Sequence, residues 1–97
     1  MATHKAVVTA SVGLHARPAA VFVRAVTDTG LPVTIAKDGI NGVDARSLLQ
    51  VMTADFHHGC EVELAISENL LGGVVSREEA GRVLRELGEL LDSQGAV

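Results

Sequence analysis

The stretch Cys60-Glu61-Val62-Glu63-Leu64-Ala65-Ile66, "CEVELAI", alternates between apolar side chains and polar or small ones. Residues two apart in a strand share a face, so Cys60, Val62, Leu64 and Ile66 line one side and Glu61, Glu63 and Ala65 the other. A strand with one wet side does not suit a parallel sheet buried on both faces. An antiparallel sheet with helices on one side follows.

Upstream, "HKAVVTA" has β-branched content and rough alternation and predicts a strand at about Lys5 to Ala10. A loop, Ser11 to Leu14, leads to a helix from about Ala16 to Thr27, with Ala19, Phe22, Val23 and Val26 on one face. Gly30 and Pro32 end it, and "VTIAK" (Val33 to Lys37) alternates as a strand. Asp38-Gly39 and Asn41-Gly42 carry turn chemistry, which leaves a short return strand near Ile40 to Val43. Ser47 and Gln50 have the spacing of a capping box, predicting a short helix over Leu48 to Thr53 with the glutamine reaching back. Ser76 and Glu79 form a second box, ahead of Ala80, Val83, Leu84, Leu87, Leu90 and Leu91 at helical spacing. The order is β-α-β-β-α-β-α. It predicts an α+β fold, an open-faced two-layer sandwich in which a four-stranded antiparallel sheet carries three helices on one face.

Ninety-seven residues suit one domain spanning 1–97. A single cysteine, Cys60, gives no disulfide framework, and neither a signal peptide nor the roughly 20-residue apolar run of a membrane span is present. A cytoplasmic protein, away from the membrane, is expected. Eight Lys and Arg against twelve Asp and Glu give a net charge of -4, which argues against nucleic acid. Stacking on bases is disfavoured too, since Phe22 and Phe56 are the only aromatic residues. His57, His58 and Cys60 lack metal-ligand spacing, so no metal site is expected.

The chemistry concentrates in "GLHARPAAVFVRA", Gly13 to Ala25. His15 holds the place where Ser, Thr, Asp or Asn ordinarily caps a helix, and Pro18 stands in the first turn, where its missing N–H costs nothing. A helix head exposes unpaired amides and about half a positive charge, which suits an anion. The amides of Ala16 and Arg17, with the Arg17 guanidinium, would cradle a phosphoryl group carried on the His15 ring. The nearby charges are basic, Lys5, Arg17 and Arg24, and the first acidic residue is Asp28. A solvated histidine and arginine fit the same pattern, so the residues by themselves point only to a candidate oxyanion site.

"GLHARPAAVFV" resembles the active-site signature of the histidine-containing phosphocarrier (HPr) family of the bacterial sugar phosphotransferase system, Gly-[Leu/Ile/Met]-His-[Ala/Thr]-Arg-Pro-[Ala/Ser]. "VDARSLLQVM", Val43 to Met52, resembles the family's second signature, a serine heading a short helix. The resemblance implies that His15 accepts phosphoryl through Nδ1, that Arg17 clamps it and that Pro18 starts the helix. It implies a relay in which enzyme I, charged by phosphoenolpyruvate, phosphorylates His15, and a IIA component takes the group onward for sugar uptake. No cofactor is implied, and turnover depends on the partners, so the chain is expected to be a carrier and not an enzyme. A monomer suits a carrier that meets two partners in turn.

Ser47 aligns with the serine that HPr kinase/phosphorylase modifies in many Gram-positive relatives, although a plain N-cap explains it equally. Leu48, Leu49 and Met52, with Ala20 and Arg24 on the first helix, are expected to form a small docking face, apolar at its centre and basic at its rim. The chain departs from the family by one added residue around "DGINGV" and by the longer, apolar "ENLLGGVV" before the last helix, which either packs over an edge or adds a contact surface. Two alternatives stand beside the sugar branch. One is a paralogue serving a nitrogen-regulatory or dihydroxyacetone relay, the other a non-phosphorylated α+β protein-binding module.

Overall fold

The computed structural model describes residues 2–37, 41–67 and 76–95. Strand β1 (Ala2–Val7) is followed by helix α1 (Ala16–Thr29), strands β2 (Val33–Lys37) and β3 (Val43–Asp44), helix α2 (Leu48–Thr53), strand β4 (Glu61–Ile66) and helix α3 (Arg77–Ser93). The strands form one antiparallel sheet in the order β1-β4-β2-β3, so the "CEVELAI" strand pairs on both edges. Its alternation holds through Leu64, with Val62 and Leu64 buried and Glu61 and Glu63 exposed, but Ala65, expected on the wet side, is buried along with Ile66, lying on the open face between Thr3 and Thr34. Thr3, Lys5 and Val7 of β1 and Thr34 of β2 are exposed as well, and Lys5 lies opposite Glu63 in the register. This is the open face, with an opposite-charge cross-strand pair on it.

The other face carries the helices. α3 packs on β1 and β4, and α1 contacts both α2 and α3. Phe22 and Val26 of α1, Val51 of α2, Leu84 and Leu91 of α3, and Ile35, Leu64 and Ile66 of the sheet are fully buried in one core. No polar or charged residue is buried with them among the described residues. Removing apolar area from water therefore supplies the main stabilisation, at roughly 25 cal/mol per Å2. Gly88 sets how closely α3 approaches β1, because a Cβ there would stand 2.6 Å from Cδ2 of His4.

Most element boundaries agree with the sequence reading, and the differences have local causes. β1 lies earlier than the predicted Lys5–Ala10, because its register with β4 ends at Val7 opposite Glu61. Beyond that pair the chain turns with its partner: Val8 donates to Cys60 O, and Gly59 donates back to Val8 O. α1 continues two residues past Thr27, to Thr29. β3 pairs through Val43 and Asp44 with Ile35 and Thr34, whereas the predicted start at Ile40 lies outside the described residues. The apolar segment 68–75 lies outside them too.

Both serine caps form, with Ser47 Oγ accepting from Gln50 N–H at 3.3 Å and Ser76 Oγ from Glu79 N–H at 3.1 Å. The Gln50 side chain does not return to Ser47, whose N–H already donates to Asp44 O. Its Oε1 instead accepts the N–H of Asp44 at 3.1 Å. That bond ties α2 to β3.

Phe22 is wholly buried at the centre of the helical layer. Phe22→Ala is expected to cost about 3–5 kcal/mol of unfolding free energy in a urea titration. A loss below about 1 kcal/mol would contradict this packing.

Candidate functional site

The head of α1 is held from outside the helix. Gly13 N–H donates to Ala10 O and Leu14 N–H to Phe56 O, each at 2.8 Å, which lays the loop before α1 against the loop after α2. Gly13 is required there on two counts. Its φ is +72°, and a Cβ would come within 2.6 Å of Phe56 O and 2.9 Å of His57 Cα. Leu14 and Phe56, on either side of this contact, are buried.

His15 is the N-cap of α1, in extended backbone (φ -131°, ψ 160°), and its side chain makes no capping bond. Ala16 follows at φ +51°, a left-handed conformation that a non-glycine residue adopts only where its surroundings impose it. A left-handed residue leading into a right-handed turn directs successive amides toward a common point, a concavity suited to an anion. The first turn holds no acidic residue, and Pro18 lacks an N–H. Arg17 is exposed, and no hydrogen bond or ion pair engages it among the described residues. The His15 side chain is 37% exposed, open to a protein partner without being loose in solvent.

The opposite edge of the imidazole is occupied. His15 Nε2–H donates to Asp55 Oδ1 at 3.0 Å, across 40 residues of sequence. Asp55 follows α2 with φ +57°, a position that glycine or asparagine usually fills. Lys37, from the end of β2, donates its Nζ–H to Asp55 O at 2.9 Å and lies 5.8 Å from the Phe56 ring centre. The hydrogen bond from His15 holds the Asp55 carboxyl below the usual carboxylate range, desolvation opposes this, and the nearby Lys37 charge adds to the lowering. Sequence reading brings neither Asp55 nor Lys37 to His15. The only signal in the chain is an aspartate where the end of a short helix would favour glycine.

The remaining expected residues divide by exposure. Ala20 and Arg24 are exposed on α1, as are Leu48 (40%) and Leu49 (77%) on α2, with Val21 (43%) adding to the same apolar character. Met52 is half-buried and packs against the core. His57 and His58 are both exposed, and His58 donates Nδ1–H to Ala10 O at 3.2 Å. Cys60 is a buried free thiol. No described helix is long and apolar enough to cross a membrane.

The family model described as "PTS HPr component phosphorylation site" matches residues 2–71. Phosphocarrier protein HPr of Streptomyces coelicolor is 55% identical over 53 residues, which cover 55% of this chain and 57% of that protein. The match thus spans little more than half of the curated relative's length. The crystal structure of HPr-C-His from Thermoanaerobacter tengcongensis superposes with a TM-score of 0.73 at 28% identity, covering 100% of this chain and 98% of that one. A phosphocarrier protein HPr from Bacillus anthracis gives 0.67 at 26% identity, covering 91% and 93%. The open-faced sandwich is the fold these structures share with it.

In a 13C-detected titration the Asp55 carboxyl is expected to change below the usual value of about 3.9. With the folded value depressed, its contribution to stability is complete above the unfolded value and is lost as pH falls through the folded one. A midpoint at or above about 3.9 would mean that the His15–Asp55 bond does not form in solution.

Proposed function

The chain belongs to the HPr family of phosphotransferase-system carriers, and from that premise we propose that it receives a phosphoryl group from enzyme I on His15 and delivers it to a IIA component. The observation that supports this most is the head of α1. An N-cap imidazole leaves its helix amides uncapped, beside an arginine with no other partner among the described residues.

His15 supplies the nucleophilic nitrogen, with Nδ1 as the atom left free by the bond at Nε2. The amides of Ala16 and Arg17 face the phosphoryl oxygens, and the Arg17 guanidinium clamps them from the open side. Because these groups are preformed, little reorganisation accompanies the change of charge. Exposure of the site lets two partners reach it in turn, so the cradle is moderate and the group stays transferable. The chain works as a carrier in one domain, in the cytoplasm, with sugar uptake as the process served.

Leu48, Leu49, Ala20 and Val21, rimmed by Arg17 and Arg24, form the docking face for these partners. Met52 supports that face from beneath. Ser47 is a regulatory position: a phosphate there adds close to two negative charges beside Leu48 and Leu49, which repels a partner with an acidic surface. HPr kinase/phosphorylase is the enzyme suited to that step.

Intact mass after incubation with enzyme I, magnesium and phosphoenolpyruvate is expected to show one added phosphoryl group that is lost in acid and absent from His15→Ala. Arg17→Ala is expected to slow its appearance about ten- to a hundredfold. An acid-stable group would report Ser47 instead of His15. No gain with an enzyme I that charges another carrier would contradict the proposal and favour a binding module using the Leu48–Leu49 face.

A further inference from the structure

Asp55 is costly where it stands. The residue after α2 has left-handed backbone, which glycine adopts freely and an aspartate only with strain. Its side chain is largely in water, 70% exposed, so burial does not account for it. What the aspartate gains over a glycine is one bond, Oδ1 to His15 Nε2 at 3.0 Å. Both ends of that bond are fixed to the same backbone contact. Leu14, next to His15, donates to Phe56 O, next to Asp55, and Lys37 Nζ holds the Asp55 carbonyl.

A carboxylate can only accept, so the nitrogen facing it must carry the proton. In a neutral imidazole the other nitrogen then holds the lone pair. We propose that Asp55 is the positioning residue of this carrier, fixing the Nε2–H tautomer of His15 and the ring orientation that presents Nδ1 to the phosphoryl donor. The inference rests on His15 being the phosphoryl acceptor. It assigns the acceptor's pre-organisation to a residue outside both signature stretches.

The step balances without moving a proton. The Nδ1 lone pair forms the bond to phosphorus while the donor's bond to phosphorus breaks and its electron pair leaves with the donor. The Nε2 proton remains between the ring and Oδ1 throughout, and the positive charge gained by the ring faces the Asp55 carboxylate. Onward transfer breaks the N–P bond, returns the pair to Nδ1 and leaves the ring as it began. The other charged or titratable groups around this pair are Arg17, two residues on from His15, and Lys37 and His57, which lie near Asp55.

Two variants separate this role from a structural one. Asp55→Gly suits the left-handed backbone and keeps the fold, which a thermal melt verifies. Asp55→Asn keeps the shape but can turn an amide N–H toward Nε2 and favour the opposite tautomer. With the ring neutral, 15N shifts of His15 in the unmodified chain are expected to show Nε2 protonated, a mixed pattern in Asp55→Gly and a swing toward protonated Nδ1 in Asp55→Asn. Chemical phosphorylation by phosphoramidate, followed by mass, is expected to slow about threefold in Asp55→Asn, with Asp55→Gly between, as suits an exposed charged pair. Unchanged ring shifts in both variants, or changed shifts with equal rates, overturn the inference. The ring shifts need neither enzyme I nor a phosphoryl group. A failure of enzyme I to charge the chain therefore tells against the relay and leaves the tautomer result readable.

Discussion

The close backbone approach at Gly13 is the constraint on which the site depends. Two loops, one before α1 and one after α2, meet where Leu14 N–H bonds Phe56 O, and only a residue without a Cβ fits between them. Leu14 and Phe56 then insert into the core from the same place, so burial of apolar side chains holds the contact shut. On its solvent side this contact carries His15 and Asp55. The imidazole is oriented because the core is packed. A side chain on a freely moving loop would have to be ordered afresh at every transfer.

Strain collects at the same spot. Ala16 and Asp55 are the two non-glycine residues with positive φ among the described ones, and each adjoins the His15 ring or its hydrogen bond. Elsewhere the chain meets local preference: amphipathic helices, serine caps, and a sheet with one wet face. Elements that follow local preference can hold two strained residues where a ligand would use their geometry. At Ala16 the strained backbone turns amides toward a site for an anion. At Asp55 it aims a carboxylate at the back of the ring that would carry the anion.

The fold was legible in the sequence because its signals are local. Alternation in Cys60–Ile66 decided the sheet, 3.6-residue spacing and serine caps decided α1, α2 and α3, and the Gly13–Ala25 stretch marked the helix head. What local pattern does not show depends on partners remote in sequence. β1 stops where β4 stops, which its own β-branched residues Val7, Val8 and Thr9 do not disclose. Gln50 bonds Asp44 because the Ser47 amide is already engaged. Asp55 and Lys37 reach the site through the Gly13 contact, and nothing near them in the chain names His15. Local pattern shows that an anion site is expected, and only tertiary structure shows what stands behind the imidazole.

The claim at the centre of this account is that the α1 head is a preformed cradle for a phosphoryl group on His15. Its most direct test is a 1H–15N correlation spectrum of the chain before and after phosphorylation. The account predicts large downfield amide shifts at Ala16 and Arg17 and small changes through β1, β4 and α3, with the fold unaltered. Shifts centred on Ser47 and Gln50, or spread evenly over the sheet, would contradict it.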